Sequence, residues 1–288
     1  MHARLAGVVL VLWGTLGCEA VGEGRRGRPV DADGSSLYEG EPPWCRSLQS
    51  VDDLREDHRE GDLRGTLETL LERRYPPGVA FIDVQTDAEL DRWFSSPDSF
   101  PVVFREAETA VHEGTHLWGF DVLEPDVYSY RVLDDDLIIA TTYHHDSIGR
   151  GAVLERHPDP AGDLYAEVYL EWSGGEGFNS LLDELNAYVH GLAAKHCTAD
   201  SLGLAQTSSR RAVFTFQFYV ATYLAIARDE HPDAYDAIVD DPGTRSAILT
   251  IWDRADEWLE RTKGEEALSL NEEPARSWVR SKEIDRLR

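Results

Sequence analysis

The chain has few cysteines, few basic side chains and no long hydrophobic run. Cys18, Cys45 and Cys197 are its three thiols, and none lies at metal-ligand spacing from another, which excludes a thiolate metal cluster. Lys and Arg number 28 against 54 Asp and Glu, for a formal charge of −26. Such an acid excess argues against nucleic acid and against anionic membrane surfaces as partners. The apolar stretch over residues 5–15 falls short of the roughly 20 residues that a membrane-spanning helix needs. Internal repeats are absent. Residues 18–43 have scarcely an apolar side chain and are rich in Gly, Arg, Asp, Glu, Ser and Pro. They cannot bury enough surface to offset chain entropy, so they read as a flexible tether. From Trp44 the aromatic and aliphatic content rises, and 44–288 is expected to form one domain.

What the N-terminus does have reads as an export signal. Arg4 supplies a positive end, residues 5–15 an apolar run, and Leu16-Gly17-Cys18 a small-residue cleavage site, so residues 1–17 read as a signal peptide. The stretch resembles a bacterial lipoprotein signal, although Thr15 and Leu16 stand where that pattern prefers Leu and then a small residue. The resemblance implies a lipidated Cys18 and a place in the cell envelope, on the periplasmic side or the surface. Ordinary secretion with cleavage nearby is the alternative. Membrane contact would then run only through a lipid on Cys18. In an oxidising compartment Cys45 and Cys197 can pair, stapling the N-terminal segment to the region after the helix of Glu184, or they remain two separate buried thiols.

Periodicity points to a mainly helical α+β domain with a small antiparallel sheet. Leu63, Leu67, Leu70 and Leu71 mark a helix over 62–74 that Pro76-Pro77-Gly78 ends. Residues 79–84 read as a short strand. Thr86 with Glu89 three residues later makes a capping box for a helix through Leu90, Trp93 and Phe94. Pro101 opens the next helix, with Gly119 where its C-terminal cap belongs. Residues 127–133 and 137–143 form a hairpin through Asp134-Asp135-Asp136, and 164–172 alternates as a further strand with Ala166, Val168, Leu170 and Trp172 on one face. Residues 212–227, apolar almost all round, predict a central buried helix. Ile248, Ile251, Trp252, Ala255, Trp258 and Leu259 are the stripe of another.

Inside the helix opened by Pro101 stands His112-Glu113-Gly114-Thr115-His116. Two histidines four apart share one helical face and can grip a single ion. Zinc takes neutral imidazole nitrogens, and a catalytic zinc site keeps three protein ligands and an open position. Glu113 projects beside that face, where it can take a proton from water at the metal. Gly114 lowers helix propensity, which a close packing neighbour or a substrate would explain. The third ligand is expected at Glu184, on the edge of an apolar stripe made by Phe178, Leu181, Leu182, Leu185, Tyr188, Val189 and Leu192. Ser180 and Asp183 read as a helix cap with its capping-box acid. His190 falls on the opposite, polar side, while His144 and His145 at the end of the hairpin are competing ligands.

His112-Glu113-x-x-His116 followed by Glu184 on a later helix resembles the gluzincin branch of the zincin metallopeptidases. The resemblance implies a zincin-like domain with His112, His116 and Glu184 as ligands of Zn2+, Glu113 as general base, and a peptide or protein substrate that is hydrolysed. Asp183 and Tyr188 stand where well-known gluzincins often have Asn and Asp, so no group is assigned to orient a ligand histidine. Leu117-Trp118-Gly119-Phe120-Asp121 lacks the third His of the metzincin branch. Tyr143, His144, His145, Tyr188 and His231 are conceivable oxyanion donors. The strand at 165–172 can pair with an extended substrate, and Gly174-Gly175-Glu176-Gly177 is either a hinge or only a loop. Two readings compete with a peptidase: an exported, lipid-anchored binding domain whose metal site is structural or vestigial, and a helical scaffold with no metal. The sequence carries no sign of an oligomeric state.

Overall fold

The computed structural model describes residues 30–42, 49–59, 61–121, 126–144, 148–199 and 207–288. Helices α1 (Asp52–Asp57) and α2 (Leu63–Arg74) lead through a 3-10 turn at Pro76–Gly78 into α3 (Val79–Asp83), α4 (Asp87–Trp93) and the long α5 (Phe100–Asp121). A hairpin follows, β1 (Val127–Arg131) and β2 (Ile138–Thr142), then a 3-10 stretch at Arg150–Arg156 and a π-helical turn at Glu167–Trp172. The rest is helical: α6 (Phe178–Cys197), α7 (Ser209–Glu230), α8 (Pro232–Val239), α9 (Pro242–Arg261), α10 (Glu273–Trp278) and α11 (Lys282–Leu287). The architecture is mainly helical, and among the described residues the one sheet is the two-stranded antiparallel hairpin, with Ser129 opposite Ala140. No described helix is long and apolar enough to cross a membrane.

Helix α6 is the hub. It lies along α5 on one side and α7 on another, with α9 also against it. Its buried set includes Asn179, Asp183, Asn186, His190 and Lys195 as well as the apolar stripe. The polar side expected at His190 is therefore interior, and each polar group there has to find a partner.

Two stretches expected as strands are helical. A five-residue apolar run such as that of α3 has no period that separates a strand from a buried helix. Tertiary contact decides the matter: α3 crosses α5 so closely that a Cβ on Gly114 would overlap the Phe81 carbonyl. Gln85 ties the crossing together, its Nε2 donating to Phe81 O at 2.6 Å and to Ala110 O at 2.9 Å. Gly114 is thus explained by a packing neighbour. The second stretch, 164–172, does alternate, but Tyr165 with Tyr169 and Ala166 with Leu170 are also i, i+4 pairs. Ser173 N reaches Val168 O at 3.2 Å, the i to i+5 bond of a π-turn. No strand edge for an extended substrate exists there.

Capping was legible in one place and misread in two. Thr86 and Glu89 form the expected box, with Thr86 N donating to Glu89 Oε2 at 2.7 Å. Helix α5, however, runs on through Gly119 to Asp121, and Gly119 makes room for the Tyr128 hydroxyl, 2.6 Å from where a Cβ would sit. Helix α6 begins at Phe178 with Gly177 as its N-cap. Ser180 lies inside the first turn and donates to Gly177 O at 2.8 Å, so Asp183 is not a capping-box acid. The Gly174–Gly177 run is a clasp: Gly151 N donates to Gly174 O at 2.9 Å and Arg150 N to Glu176 O at 2.7 Å.

Residues 30–42 are not a free tether. Val30 bridges to Ile139, after which the segment follows every fourth residue of α9. Gly34 N donates to Ser246 Oγ at 2.8 Å, Leu37 N donates to Thr250 Oγ1 at 2.9 Å, and Glu41 pairs with Arg254 and accepts from Trp258 Nε1 at 2.8 Å. The Glu41 and Arg254 side chains are fully buried. Composition missed this strap because it is held by backbone N–H groups and one buried ion pair, with little apolar surface.

Candidate metal centre

Helix geometry stacks His112 and His116 one turn apart on α5, and the antiparallel course of chain through the hairpin brings α6 alongside. Glu184 completes a triangle: His112 Nε2 to His116 Nε2 is 3.2 Å, His112 Nε2 to Glu184 Oε2 is 3.7 Å, and His116 Nε2 to Glu184 Oε2 is 3.4 Å. A tetrahedral zinc with ligands at about 2.0–2.1 Å separates them by about 3.3–3.4 Å. The triangle has the size of one face of such a tetrahedron. Among the described residues this is the one group of three His, Cys, Asp or Glu placed to share an ion.

Donor chemistry fits as well as size. Glu184 Oε2 is buried without a well-formed hydrogen bond, its nearest partners being the imidazole nitrogens of His116 at 3.4 Å and His112 at 3.7 Å, and a cation held between the three would satisfy it. The side chains of His112, His116 and Glu184 keep 12 %, 14 % and 13 % of their surface, so the group is largely buried without being sealed from solvent. Burial, with the neighbouring His116 charge, pushes His112 down to about 3, which leaves it a neutral imidazole. For His116 burial acts the same way, but the Glu184 and Asp183 carboxylates more than offset it and hold its proton well above the ordinary histidine value. A cation entering the triangle would have to displace that proton, so any metal affinity would fall as pH falls.

Asp183 supplies what sequence reasoning left unassigned. Its Oδ2 lies 2.5 Å from His116 Nδ1, which fixes the ring so that Nε2 faces the triangle. Behind it the Tyr128 hydroxyl interacts with Asp183 and favours its charged form, although burial still raises the Asp183 value overall. The signal was present in Asp183-Glu184 as adjacent acids. Local reading gave the first to a helix cap, whereas its partner is 67 residues away. Asp183→Asn should keep the fold and weaken zinc binding about 10–100-fold, measured by competition with a chromophoric chelator; unchanged affinity would remove Asp183 from the site.

Glu113 is half-buried and makes no hydrogen bond or ion pair among the described residues. Burial raises it to about 7. An unpaired carboxylate near neutrality beside a metal triangle is suited to proton transfer. Tyr188 walls the site, its ring 4.3 Å from that of His112 and stacked at 4.8 Å on Phe216. The Tyr188 hydroxyl meets that of Tyr169 at 2.9 Å, a neighbour that the strand reading of 164–172 did not anticipate.

Other candidates are committed elsewhere. Both ring nitrogens of His190 are occupied, Nδ1 by the Tyr75 hydroxyl at 2.7 Å and Nε2 by Arg131 O at 3.0 Å. His144 Nε2 meets Thr244 Oγ1 at 3.0 Å, and His145 lies outside the described residues. His231 is exposed at the C-terminus of α7, and Tyr143 packs near Tyr128, their ring centroids 6.2 Å apart. Cys197, the last residue of α6, is disulfide-bonded, whereas Cys18 and Cys45 lie outside the described residues. The chain matches no protein-family model, no curated protein and no solved structure, so its chemistry rests on these side chains alone.

Proposed function

We propose that this chain is an exported zinc-dependent peptidase with a gluzincin-like site. The observation that carries the reading is the unpaired, half-buried Glu113 beside the His112, His116 and Glu184 triangle. A merely structural zinc site closes with a fourth ligand and has no use for a base. Two packed helices, one bearing the two histidines and the base and the other the third ligand, are also what the zincin resemblance implies. Bound at this triangle, zinc would supply Lewis acidity that polarises a carbonyl and acidifies water. The chain does the rest. Glu113 accepts the proton from the attacking water and returns it to the leaving amine. Asp183 keeps the His116 ring oriented, and the Tyr188 wall narrows the approach. In this reading residues 1–17 direct export and Cys18 carries a lipid.

The test is metal content and peptide hydrolysis of the purified full chain, beside His116→Ala and Glu184→Ala. About one zinc per chain, lost or weakened in both variants, with hydrolysis that a chelator abolishes and zinc restores, is the expected result. A folded wild type that binds no zinc when supplied with it overturns the reading. Stoichiometric zinc without hydrolysis of any peptide would instead favour the exported binding domain.

A further inference from the structure

Beside the metal centre the surface is acidic and carries exposed apolar side chains. Residues 151–180 hold six acids, of which Asp163 is buried against His157 and Glu176 pairs with Arg150, leaving Glu155, Asp159, Glu167 and Glu171. The one Arg or Lys of the segment, Arg156, is engaged by Asp229 and Glu230. The π-turn Glu167–Trp172 is the part of this segment next to the site. Its inward Tyr169 bonds Tyr188, whose ring covers His112. Its outward residues are different. Glu167 and Glu171 are exposed and make no ion pair among the described residues. Trp172 is 62 % exposed and Leu164 49 % exposed, two of only three large apolar side chains so placed among the described residues. An exposed Trp beside unpaired carboxylates binds a cationic side chain twice over, through the ring face and through charge.

Resting on the peptidase reading, we propose that this face docks the substrate, and that the substrate is a basic polypeptide with interspersed apolar residues. Its Lys or Arg side chains lie against Glu167, Glu171 and the Trp172 ring, and an apolar side chain covers Leu164. The neighbouring scissile bond is then held near the triangle through the Tyr169 and Tyr188 layer. The charge of −26 draws such a chain in from solution, and the attraction weakens as salt screens it.

Binding is measured by fluorescence anisotropy on the zinc-replete Glu113→Gln full chain, using a labelled peptide of Lys and Leu among Gly and Ser, against the same peptide with Glu for Lys. The basic peptide should bind at least about tenfold more tightly, and its affinity should fall about tenfold between roughly 20 and 300 mM salt. Glu167→Lys with Glu171→Lys should lower affinity about tenfold, and Trp172→Ala about three- to fivefold. Asp233→Lys with Glu273→Lys changes net charge equally on other exposed surfaces and should have little effect. Equal losses from the two charge-reversed pairs, or equal binding of both peptides, overturn the docking face. Basic-peptide binding without hydrolysis by the wild type would retire the peptidase and leave the docking face standing. Hydrolysis with no preference for the basic peptide would retire the docking face alone.

Discussion

Glu113→Gln is expected to bind zinc as the wild type does while peptide hydrolysis falls by about 10²–10⁴-fold. Gln matches Glu in size and removes the basic oxygen, and Glu113 has no hydrogen bond among the described residues for the change to break. The working form is the carboxylate, so wild-type kcat/KM should fall as pH drops through the Glu113 value. Burial places that value at about 7 in the metal-free protein. A dication alongside favours the carboxylate, which moves the acidic limb of the profile below 7. In Glu113→Gln that limb should vanish from the residual activity. Stability of the metal-free protein carries the same signature. A carboxyl whose folded value is raised stabilises the fold below its unfolded value and loses that contribution as pH rises through the folded one. Glu113→Gln should therefore gain stability relative to wild type between about 4.5 and 7 and hold the gain above. Retention of wild-type turnover would remove Glu113 as the base.

Glu41→Ala should lower stability by about 3–5 kcal/mol, because Arg254 would be left charged in the interior. For a domain of this size that corresponds to a fall of roughly 10 °C in Tm. Both side chains are fully buried, and the other partner of the guanidinium among the described residues is the Tyr75 hydroxyl at 2.8 Å from Nη2. Arg254→Met combined with Glu41→Leu should recover most of the loss, since a buried ion pair replaced by apolar groups is often neutral. A free tether would give no change in thermal denaturation for Glu41→Ala. By the same reasoning a chain begun at Trp44 loses the whole strap and should melt well below one begun at Val30.

Legibility in the sequence followed locality. The leucines of α2, the stripe of α9 and the Thr86 box were readable because their partners lie within a few residues. So was the hairpin, whose strands flank a run of turn-forming Asp residues. The motif histidines were readable for the same reason, and Glu184 by its place on a helical wheel. Short apolar runs such as residues 79–84 failed because α5 chooses their conformation. Alternation at 164–172 failed because the same residues also satisfy i, i+4 pairing, and the clasp of Gly151 against Gly174 limits where that segment can lie. Asp183 and Glu41 were misassigned alike: each had a plausible local role, a helix cap or a solvated tether acid, and each has its real partner far along the chain.

The close crossing at Gly114 has a consequence for recognising relatives. Any side chain there would meet the Phe81 carbonyl and the Gln85 amide, so a protein that keeps this crossing has to keep the glycine. Gly119 is bound in the same way to Tyr128, and Tyr128 to the acid pair on α6. A useful search signature is therefore His-Glu-Gly-x-His, glycine three residues on, a tyrosine opening the following hairpin, and Asp-Glu on the next long helix. Chains carrying the five-residue motif with a bulky third residue are expected to belong to other folds, however well their histidines align.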